Sequence, residues 1–290
     1  MSLRKYTVIG GDLRSVKLAE LISEDMNTVN IYGYKNAGFE MSLTENEDLQ
    51  AAIDDSDIVI GPLPCSNDNE TLFAPFHTDK IYINEIFKIM KKNQLFIAGR
   101  ISDKVAHLAE VYNVYAIDIL EREEMAILNA IPTAEGAIQI AMEETPITLH
   151  DSKVMVLGFG RVGKILANRL DGLGVKVFVE ARKYQDIAWI KSYGYKPVYI
   201  NELGDYLGKM DVIFNTIPHK ILDASLLDKL NPETLVIDLA SKPGGVDFDR
   251  AKTLGIKVIW ALSLPGKVAP VTAAKFIKET VYNIIEELGV

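Results

Sequence analysis

Short runs of β-branched and aromatic residues alternate with segments that carry apolar side chains at helical spacing through the first half of the chain. This alternation is typical of a parallel sheet whose strands are joined by helices. The clearest predicted helices are Val16–Ser23, Leu49–Ile53 and Lys104–Val111. The predicted strands are Tyr6–Ile9, Val29–Tyr32, Asp57–Ile60, Leu95–Ala98 and Val114–Ile117. We therefore expect a small open sheet with helices on both faces.

The same alternation returns in the second half, after a long segment without a strand pattern, Glu121–Glu144. Pro132 lies inside this segment and is followed by Thr-Ala-Glu-Gly, which predicts that one helix ends and another begins there. We interpret the segment as the connection between two domains. The amphipathic helix Val271–Leu288, just after Pro270, is long enough to pack back on the first domain. The strands predicted between these segments are Lys153–Leu157, Val175–Val179, Pro197–Tyr199, Val212–Asn215, Leu235–Asp238 and Val258–Trp260.

A chain of 290 residues, 48% of them hydrophobic, can form two cores of ordinary domain size. The patterns predict the α/β class, with two domains that are each an open, mostly parallel, doubly wound sheet. We place a substrate- or partner-binding domain at residues 1–132 and a Rossmann dinucleotide-binding domain at residues 133–290. The packing of the helix at 271–288 on the first domain stays open at this point.

Composition excludes several classes of protein. The single cysteine rules out an intrachain disulfide framework, and the four histidines never occur at the spacing of a zinc site, so we expect no metal. No apolar run reaches the roughly 18 residues of a membrane span, and we expect a cytoplasmic protein. The net charge of −9 argues against nucleic-acid binding. The residues concerned are His77, His107, His150, His219 and Cys65, and Cys65, without an identifiable base, is interpreted as structural.

A glycine-rich turn follows the first predicted strand of the second half. It fits the G-x-G-x-x-G fingerprint between the strand Val154–Leu157 and the predicted helix Lys164–Leu170, which is the context that a dinucleotide site requires. In this pattern the first glycine permits a tight turn, the second lets the pyrophosphate approach, and the third lets helix and strand pack closely. The residues predicted to bind the cofactor here are Gly158, Phe159, Gly160, Arg161, Val162 and Gly163.

The end of the next predicted strand bears on the choice between the two nicotinamide coenzymes. Glu180 lies 22 residues after Gly158, where an acid hydrogen-bonds the adenosine ribose of NAD. Ala181, Arg182 and Lys183 follow it, and adjacent cations favour the 2′-phosphate of NADP. We expect NADP, with NAD as the alternative. If no ligand binds here, the two cations simply form a solvated basic turn.

Two polar residues, Asn215 and Thr216, lie at the carboxyl end of the predicted strand Val212–Asn215. Asn215, Thr216, Ile217 and Pro218 lie where ligands bind in open α/β sheets, and we expect Asn215 and Thr216 to meet the nicotinamide ribose. A turn in which Asn215 hydrogen-bonds its own backbone is an equally good interpretation from sequence.

Three further sequence segments reduce the range of reactions that this chain could catalyse. They are Gly10–Arg14, Asp238–Phe248 and Leu264–Pro270. With the glycine turn, and in this order, they resemble the family of dipicolinate synthase A subunits over nearly the whole chain. The resemblance implies NADP-dependent oxidation of a cyclic dicarboxylate, a (hydroxy)tetrahydrodipicolinate, to pyridine-2,6-dicarboxylate during sporulation. It also implies that the partner is a flavoprotein-like B subunit and that the location is the mother-cell cytoplasm of a spore-forming bacterium. It does not identify the acid and base.

A dicarboxylate substrate needs cationic anchors and a group that moves a proton. Lys242 is the leading candidate, because its Pro-Gly-Gly loop follows a strand end, where a lysine binds a carboxylate or transfers a proton. Arg14 follows the glycine-rich end of the first strand and is the second candidate. We expect the substrate in a cleft between the domains, held by both. If neither residue binds a ligand, Lys242 is a solvated lysine and Arg14 is a surface arginine beside Asp12, which caps the helix.

Weaker candidates for the substrate site are three residues of the connecting segment and one histidine that follows the predicted strand Val212–Asn215. Asn129, Thr133 and Glu135 are candidates to face the substrate, although helix capping by Thr133 with Glu135 in the first turn explains two of them. His219, beside Pro218, is a candidate acid or base, but it has no evident orienting acid, which argues against a 2-hydroxyacid dehydrogenase. A 2-hydroxyacid, alanine or shikimate-type dehydrogenase and a non-enzymatic NADP sensor stay as alternatives, and a homo-oligomer stays open.

Overall fold

The computed structural model describes residues 3–37 and 42–289. The chain divides into two compact units. The first is formed by Met1–Leu128 together with Ala269–Val290, and the second by Asn129–Val268.

The first unit is built on a five-stranded parallel sheet in the order β2-β1-β3-β4-β5. Its strands are buried or half-buried runs of β-branched and aromatic side chains, as helix-covered parallel strands require. The helices that cover it are α1 (Leu13–Glu24), α2 (Leu49–Asp54), α3 (Ile83–Ile89) and α4 (Asp103–Val111). The strands are β1 (Lys5–Ile9), β2 (Thr28–Tyr32), β3 (Ile58–Ile60), β4 (Leu95–Ala98) and β5 (Tyr115–Asp118), followed by a short 3₁₀ turn, Ile119–Glu121.

One continuous helix, α5 (Glu123–Glu144), replaces the predicted pair of helices, and the expected break at Pro132 is wrong. Proline in a helix interior costs about 3 kcal/mol, so packing must offset that cost. Met125 lies in the core of the first unit, and Ala134 and Ala137 lie in the core of the second. Each end of α5 is therefore held by a core, which overrides the local proline signal.

The second unit contains a six-stranded parallel sheet in the order β11-β10-β9-β6-β7-β8. This is the Rossmann strand order, and the direction of winding reverses between β6 and β9. The predicted α/β class and the Rossmann domain are confirmed. The strands are β6 (Lys153–Leu157), β7 (Lys176–Ala181), β8 (Lys196–Tyr199), β9 (Val212–Asn215), β10 (Leu235–Asp238) and β11 (Val258–Trp260).

The connections of the second sheet range from full helices to single turns. Short 3₁₀ turns lie at Ile200–Glu202 and Leu207–Lys209. The helices are α6 (Arg161–Gly172), α7 (Tyr184–Ser192), α8 (Leu203–Tyr206), α9 (Ala224–Leu227), α10 (Phe248–Leu254) and α11 (Leu264–Val268). Apolar side chains fill both faces of the sheet, so its carboxyl edge is the part left for chemistry.

The helix α12 (Pro270–Leu288) belongs to the first unit and packs along α1. Its apolar stripe, which includes Ile277, Val281 and Ile284, is buried in the core of that unit. Ion pairs fasten its polar side, among them Lys278 Nζ to Asp25 Oδ2 at 2.8 Å. None of the helices within residues 3–37 and 42–289 is long and apolar enough to cross a membrane.

Candidate active site

The glycine turn lies where the second sheet reverses its winding, between the carboxyl ends of β6 and β9. Gly158 has a φ of +91°, a conformation that L side chains rarely adopt. A Cβ on Gly158 would also lie 2.7 Å from Thr216 Oγ1 and 2.8 Å from Ile217 Cγ1. The turn therefore requires glycine at 158 for both its backbone angle and its contact with the end of β9.

The other two glycines of the turn differ sharply from each other. A Cβ on Gly163 would overlap the carbonyl oxygen of Gly158, so α6 and β6 approach each other too closely for a side chain. Around Gly160, by contrast, no described atom outside its two chain neighbours lies within 4 Å of the position that a Cβ would take. Gly163 therefore serves the packing of the fold, whereas Gly160 leaves open space in front of the turn.

That open space lies at the N-terminus of α6. Gly160 is the N-cap, and no side chain caps the helix. Uncapped N–H groups and the positive end of the helix dipole favour an anion such as a pyrophosphate. Phe159 points into the core, Val162 is half-buried and Arg161 is exposed, so a nucleotide would meet this turn chiefly through its backbone.

Glu180 lies at the end of β7, beside the turn, and is 1% exposed. Its Oε1 is buried and makes no hydrogen bond within the described residues. Burial raises the pKa of Glu180, and the Gly158 amide and the Arg182 guanidinium offset only part of that rise. A buried oxygen without a partner costs about 1–3 kcal/mol, which a ribose hydroxyl donor would relieve. The turn and Glu180 thus fit a dinucleotide.

The three residues after Glu180 divide into one core residue and two exposed cations. Ala181 is buried within β7, and Arg182 and Lys183 are exposed just beyond it. Within residues 3–37 and 42–289, neither cation makes an ion pair. Both are therefore available to a phosphate on the adenosine side of the turn.

Side chains at the end of β9 make hydrogen bonds to the ends of β6 and β10 and to the loop that follows β9. Thr216 Oγ1 donates to the Leu157 carbonyl at 2.8 Å, which joins β9 to β6 beneath the turn. The buried Asn215 side chain donates to Ile217 O at 3.0 Å and to Asp238 Oδ1 at 2.8 Å, and it accepts from Ile217 N. Its amide is thus already used within the protein. A ribose contact from Asn215 and Thr216 stays a prediction, while Pro218 is exposed beside them.

Lys242 lies in the loop that follows β10, on the same edge of the same sheet. The Lys242 side chain is exposed and has no hydrogen bond or ion pair to any part of the chain that the structure describes. Residues 244–246, just after it, are buried, as is Asp238 before it. Sequence reasoning did not assign Asp238 to the site. The sequence feature that could have identified Asp238 is a single carboxylate at the end of an otherwise apolar strand.

Arg14 lies at the start of α1 in the first unit and is 8% exposed. Its Nε and Nη2 donate to the two carboxylate oxygens of Asp12 at 2.9 and 2.8 Å, and Nη2 also donates to the carbonyl of Leu63. Asp12 is at the same time the N-cap of α1. The guanidinium thus joins the loop after β1 to the loop after β3.

Two of the weaker candidates, Thr133 and Glu135, have structural partners. Thr133 caps no helix, because it lies inside α5, where its Oγ1 donates to Asn129 O at 2.7 Å. Glu135 is exposed and pairs with Arg169 at 3.6 Å. His219 is exposed, and Asn129 Oδ1 is buried and makes no hydrogen bond to the residues that the structure describes.

Cys65 is fully buried, and burial raises the pKa of its thiol to about 12, so it is not a nucleophile near neutral pH. No cluster of metal-ligating side chains occurs in the described ranges 3–37 and 42–289.

Comparison with known proteins identifies relatives of the whole chain. A family model for the N-terminal domain of the dipicolinate synthase A subunit matches residues 5–120, and one for the NAD binding domain of D-isomer specific 2-hydroxyacid dehydrogenases matches residues 133–244. The chain is 32% identical over 287 residues to the dipicolinate synthase A subunit of Bacillus subtilis (strain 168), and the match covers 98% of this chain and 96% of that protein.

Solved structures agree with these matches. The crystal structure of the dipicolinate synthase A subunit from Bacillus halodurans superposes with a TM-score of 0.89 at 31% identity, over 97% of each chain. An L-alanine dehydrogenase superposes with a TM-score of 0.68 at 16% identity, over 97% of this chain and 90% of that one. The second similarity concerns the fold alone.

Proposed function

This chain belongs to the family of dipicolinate synthase A subunits, which makes it an NAD(P)-dependent oxidoreductase, and from that premise we propose that it oxidises a (hydroxy)tetrahydrodipicolinate to pyridine-2,6-dicarboxylate. The observation that supports the proposal is the position of Lys242. Its loop follows β10, the glycine turn follows β6, and only β9 separates the two strands. Two strand spacings are roughly 10 Å, which is within reach of a dinucleotide bound at the turn.

The proposed reaction balances with the oxidised nicotinamide coenzyme as its one co-reactant. The hydroxylated substrate loses water to give a dihydropyridine dicarboxylate, and that ring then loses a hydride and a proton to become aromatic. When bound, the nicotinamide coenzyme supplies the hydride acceptor. The chain must therefore hold two carboxylates and take up one proton.

Lys242 is proposed to bind one substrate carboxylate through its ammonium group, because it is an exposed cation without a hydrogen bond or ion pair to the described residues and its loop lies on the same edge, two strands from the turn. Arg14 is proposed as the second anchor. Asp12 and Leu63 occupy Nε and Nη2 of Arg14, so the substrate would have to bind Nη1. Planar, charged donors of this kind suit carboxylates.

Loss of either anchor should impair turnover. We expect Lys242→Ala and Arg14→Ala each to lower kcat/KM by at least about tenfold, the scale of one charged hydrogen bond, with NADPH affinity unchanged. Lys252→Ala, which removes an exposed lysine on α10, is the matched control for charge. Wild-type rates in both variants, measured under conditions in which both are folded, would move the carboxylate anchors to other residues.

NADP is the proposed coenzyme, with NAD as the alternative. Arg182 and Lys183 are exposed cations without an ion pair in residues 3–37 and 42–289, which suits a 2′-phosphate. Glu180 would repel that phosphate when ionised, and burial, which raises the pKa of Glu180, disfavours the ionised form.

Arg182→Ala should separate the two coenzymes. A charge-assisted bond contributes about 1.5–3 kcal/mol, so the variant should bind NADPH roughly 10–150-fold more weakly and NADH about as tightly as before. Titration calorimetry with each coenzyme measures both affinities. Arg169→Ala, an exposed arginine at the other end of α6, should change neither. Equal losses for the two coenzymes in Arg182→Ala would contradict a phosphate contact.

The function itself is tested by following coenzyme reduction after adding the freshly formed product of dihydrodipicolinate synthase. The expected result is reduction of NADP with formation of pyridine-2,6-dicarboxylate. A panel of 2-hydroxy acids, alanine and shikimate tests the other dehydrogenase types, of which the first two are similar to this chain in the NAD binding domain or the fold. Turnover of one of these substrates, with no turnover of the dihydrodipicolinate synthase product, would overturn the proposal.

Family membership also suggests the setting. We infer that the partner is a flavoprotein-like B subunit, that the location is the mother-cell cytoplasm of a spore-forming bacterium, and that the protein acts late in sporulation. Running the same assay with and without the B subunit tests whether this chain turns over alone.

A further inference from the structure

A buried carboxylate lies beneath the Lys242 loop. Asp238 is 0% exposed and accepts three N–H donors: Asn215 Nδ2 at 2.8 Å, Ala240 N at 3.0 Å and Gly245 N at 2.7 Å. Two of these donors are backbone amides, one on each side of Lys242. The third comes from the end of β9. One side chain therefore holds both ends of the loop to the neighbouring strand.

Other contacts confine the same loop. Trp260 Nε1 donates to the Ala240 carbonyl at 2.9 Å. The Gly245 carbonyl accepts from the amides of Ile221 and Leu222, both at 3.0 Å. Residues 241–243 stay exposed between these fixed points, and Lys242 is in the middle of them.

The two glycines of the loop allow this close approach. Gly244 has a φ of +88°, and a Cβ there would lie 2.9 Å from Asp238 Oδ2. A Cβ on Gly245 would overlap the Asn215 side-chain nitrogen. The backbone thus folds directly onto the pair of Asp238 and Asn215. An apolar residue at 238 would leave two buried amides without acceptors, and each would cost about 1–3 kcal/mol.

We propose that Asp238 is a positioning residue that acts through Lys242. It fixes the backbone on both sides of Lys242 and so determines where the ammonium group meets the substrate carboxylate, without touching substrate itself. This inference rests on the proposed role of Lys242 as a carboxylate anchor.

The test variant is Asp238→Asn, which keeps the shape of the side chain and replaces one acceptor oxygen by an NH₂ group. That group would face an N–H donor, so one end of the loop loses its acceptor. We expect deuterium uptake in the peptide that spans residues 239–247 to increase. We also expect kcat/KM to fall by about tenfold or more, close to the loss in Lys242→Ala, with NADPH affinity unchanged.

A double-mutant cycle separates positioning from general destabilisation. If Asp238 acts through Lys242, Asp238→Asn combined with Lys242→Ala should be no slower than Lys242→Ala alone, within about twofold. If the two losses multiply, Asp238 acts independently of Lys242 and the inference is overturned.

Thr234→Val is the matched control for strand stability. Thr234 is a buried polar residue at the opposite end of β10, where its Oγ1 donates to Met210 O at 2.8 Å. We expect this variant to lower the thermal midpoint while leaving kcat/KM and exchange in residues 239–247 unchanged.

The outcomes distinguish the two hypotheses. If Lys242→Ala retains wild-type kcat/KM, the anchor role fails and the positioning inference fails with it. If Lys242→Ala is impaired but Asp238→Asn is not, only the positioning inference fails. Unchanged exchange in residues 239–247 of Asp238→Asn would also overturn it, and this readout does not depend on the identity of the substrate.

Discussion

Gly160→Ala should weaken binding of the nicotinamide dinucleotide by at least about 100-fold, which corresponds to roughly 2.7 kcal/mol. Apart from its two chain neighbours, no described residue has an atom within 4 Å of the position that the new methyl group would take, so the ligand-free fold has room for it. The φ of Gly160 is −81°, which alanine also adopts. The same space lies before the N-terminus of α6, where the pyrophosphate must come close to the backbone.

Calorimetry gives the affinity, and a thermal melt without ligand gives the stability. We expect the melting midpoint of Gly160→Ala to stay within about 2 °C of the wild type, the effect of a ΔΔG below about 0.5–1 kcal/mol. Gly172→Ala is the control, because Gly172 lies at the far end of α6 and also has no neighbour within 4 Å of its Cβ position. Micromolar binding by Gly160→Ala would show that the turn does not hold the coenzyme.

Gly163→Ala should have the opposite phenotype, a large loss of stability in the absence of ligand. Its Cβ would overlap the Gly158 carbonyl, which is backbone and cannot rotate away as a side chain does. Overpacking typically costs about 1–3 kcal/mol, and we expect the upper end or more because α6 must move off β6. A loss of about 3 kcal/mol corresponds to a lower melting midpoint by roughly 6–12 °C for a unit of this size.

Differential scanning calorimetry without ligand measures the shift, and Gly172→Ala is again the control. Nucleotide binding should also fall, but only as a consequence of the displaced helix. A wild-type melting midpoint in Gly163→Ala would mean that the close approach of α6 and β6 is not needed for the fold.

The strands and the glycine turn could be predicted because their signals are local. A buried parallel strand is a short apolar run, and Val154–Leu157 and Val212–Asn215 are recognisable as such without knowledge of any partner. The fingerprint from Gly158 to Gly163 also lies within six consecutive residues. Strand limits either agreed or shifted by one or two residues, as in β5, which begins at Tyr115 rather than Val114.

The rest depended on contacts between distant residues. Pro132 indicated a helix end, and only packing at both ends of α5 keeps that helix continuous. Arg14 was recognised as a cation, but its bond to Leu63, 49 residues away, has no sequence signal. Asp238 likewise acquires its meaning from Asn215, which lies 23 residues earlier on a neighbouring strand. Hydrogen-bond partners of this kind are set by topology.

The position of α12 has a consequence for the order in which the chain folds during synthesis. The core of the first unit includes Ile277, Val281 and Ile284, which leave the ribosome only after all of the second unit has been made. The face of α1 that α12 covers therefore stays open throughout translation of residues 129–268, by the end of which the second unit has its complete sequence. Domains commonly fold in the order of their synthesis. Here the unit that emerges first is the last to be completed, and its open apolar face is the part of the nascent chain that a chaperone would have to protect.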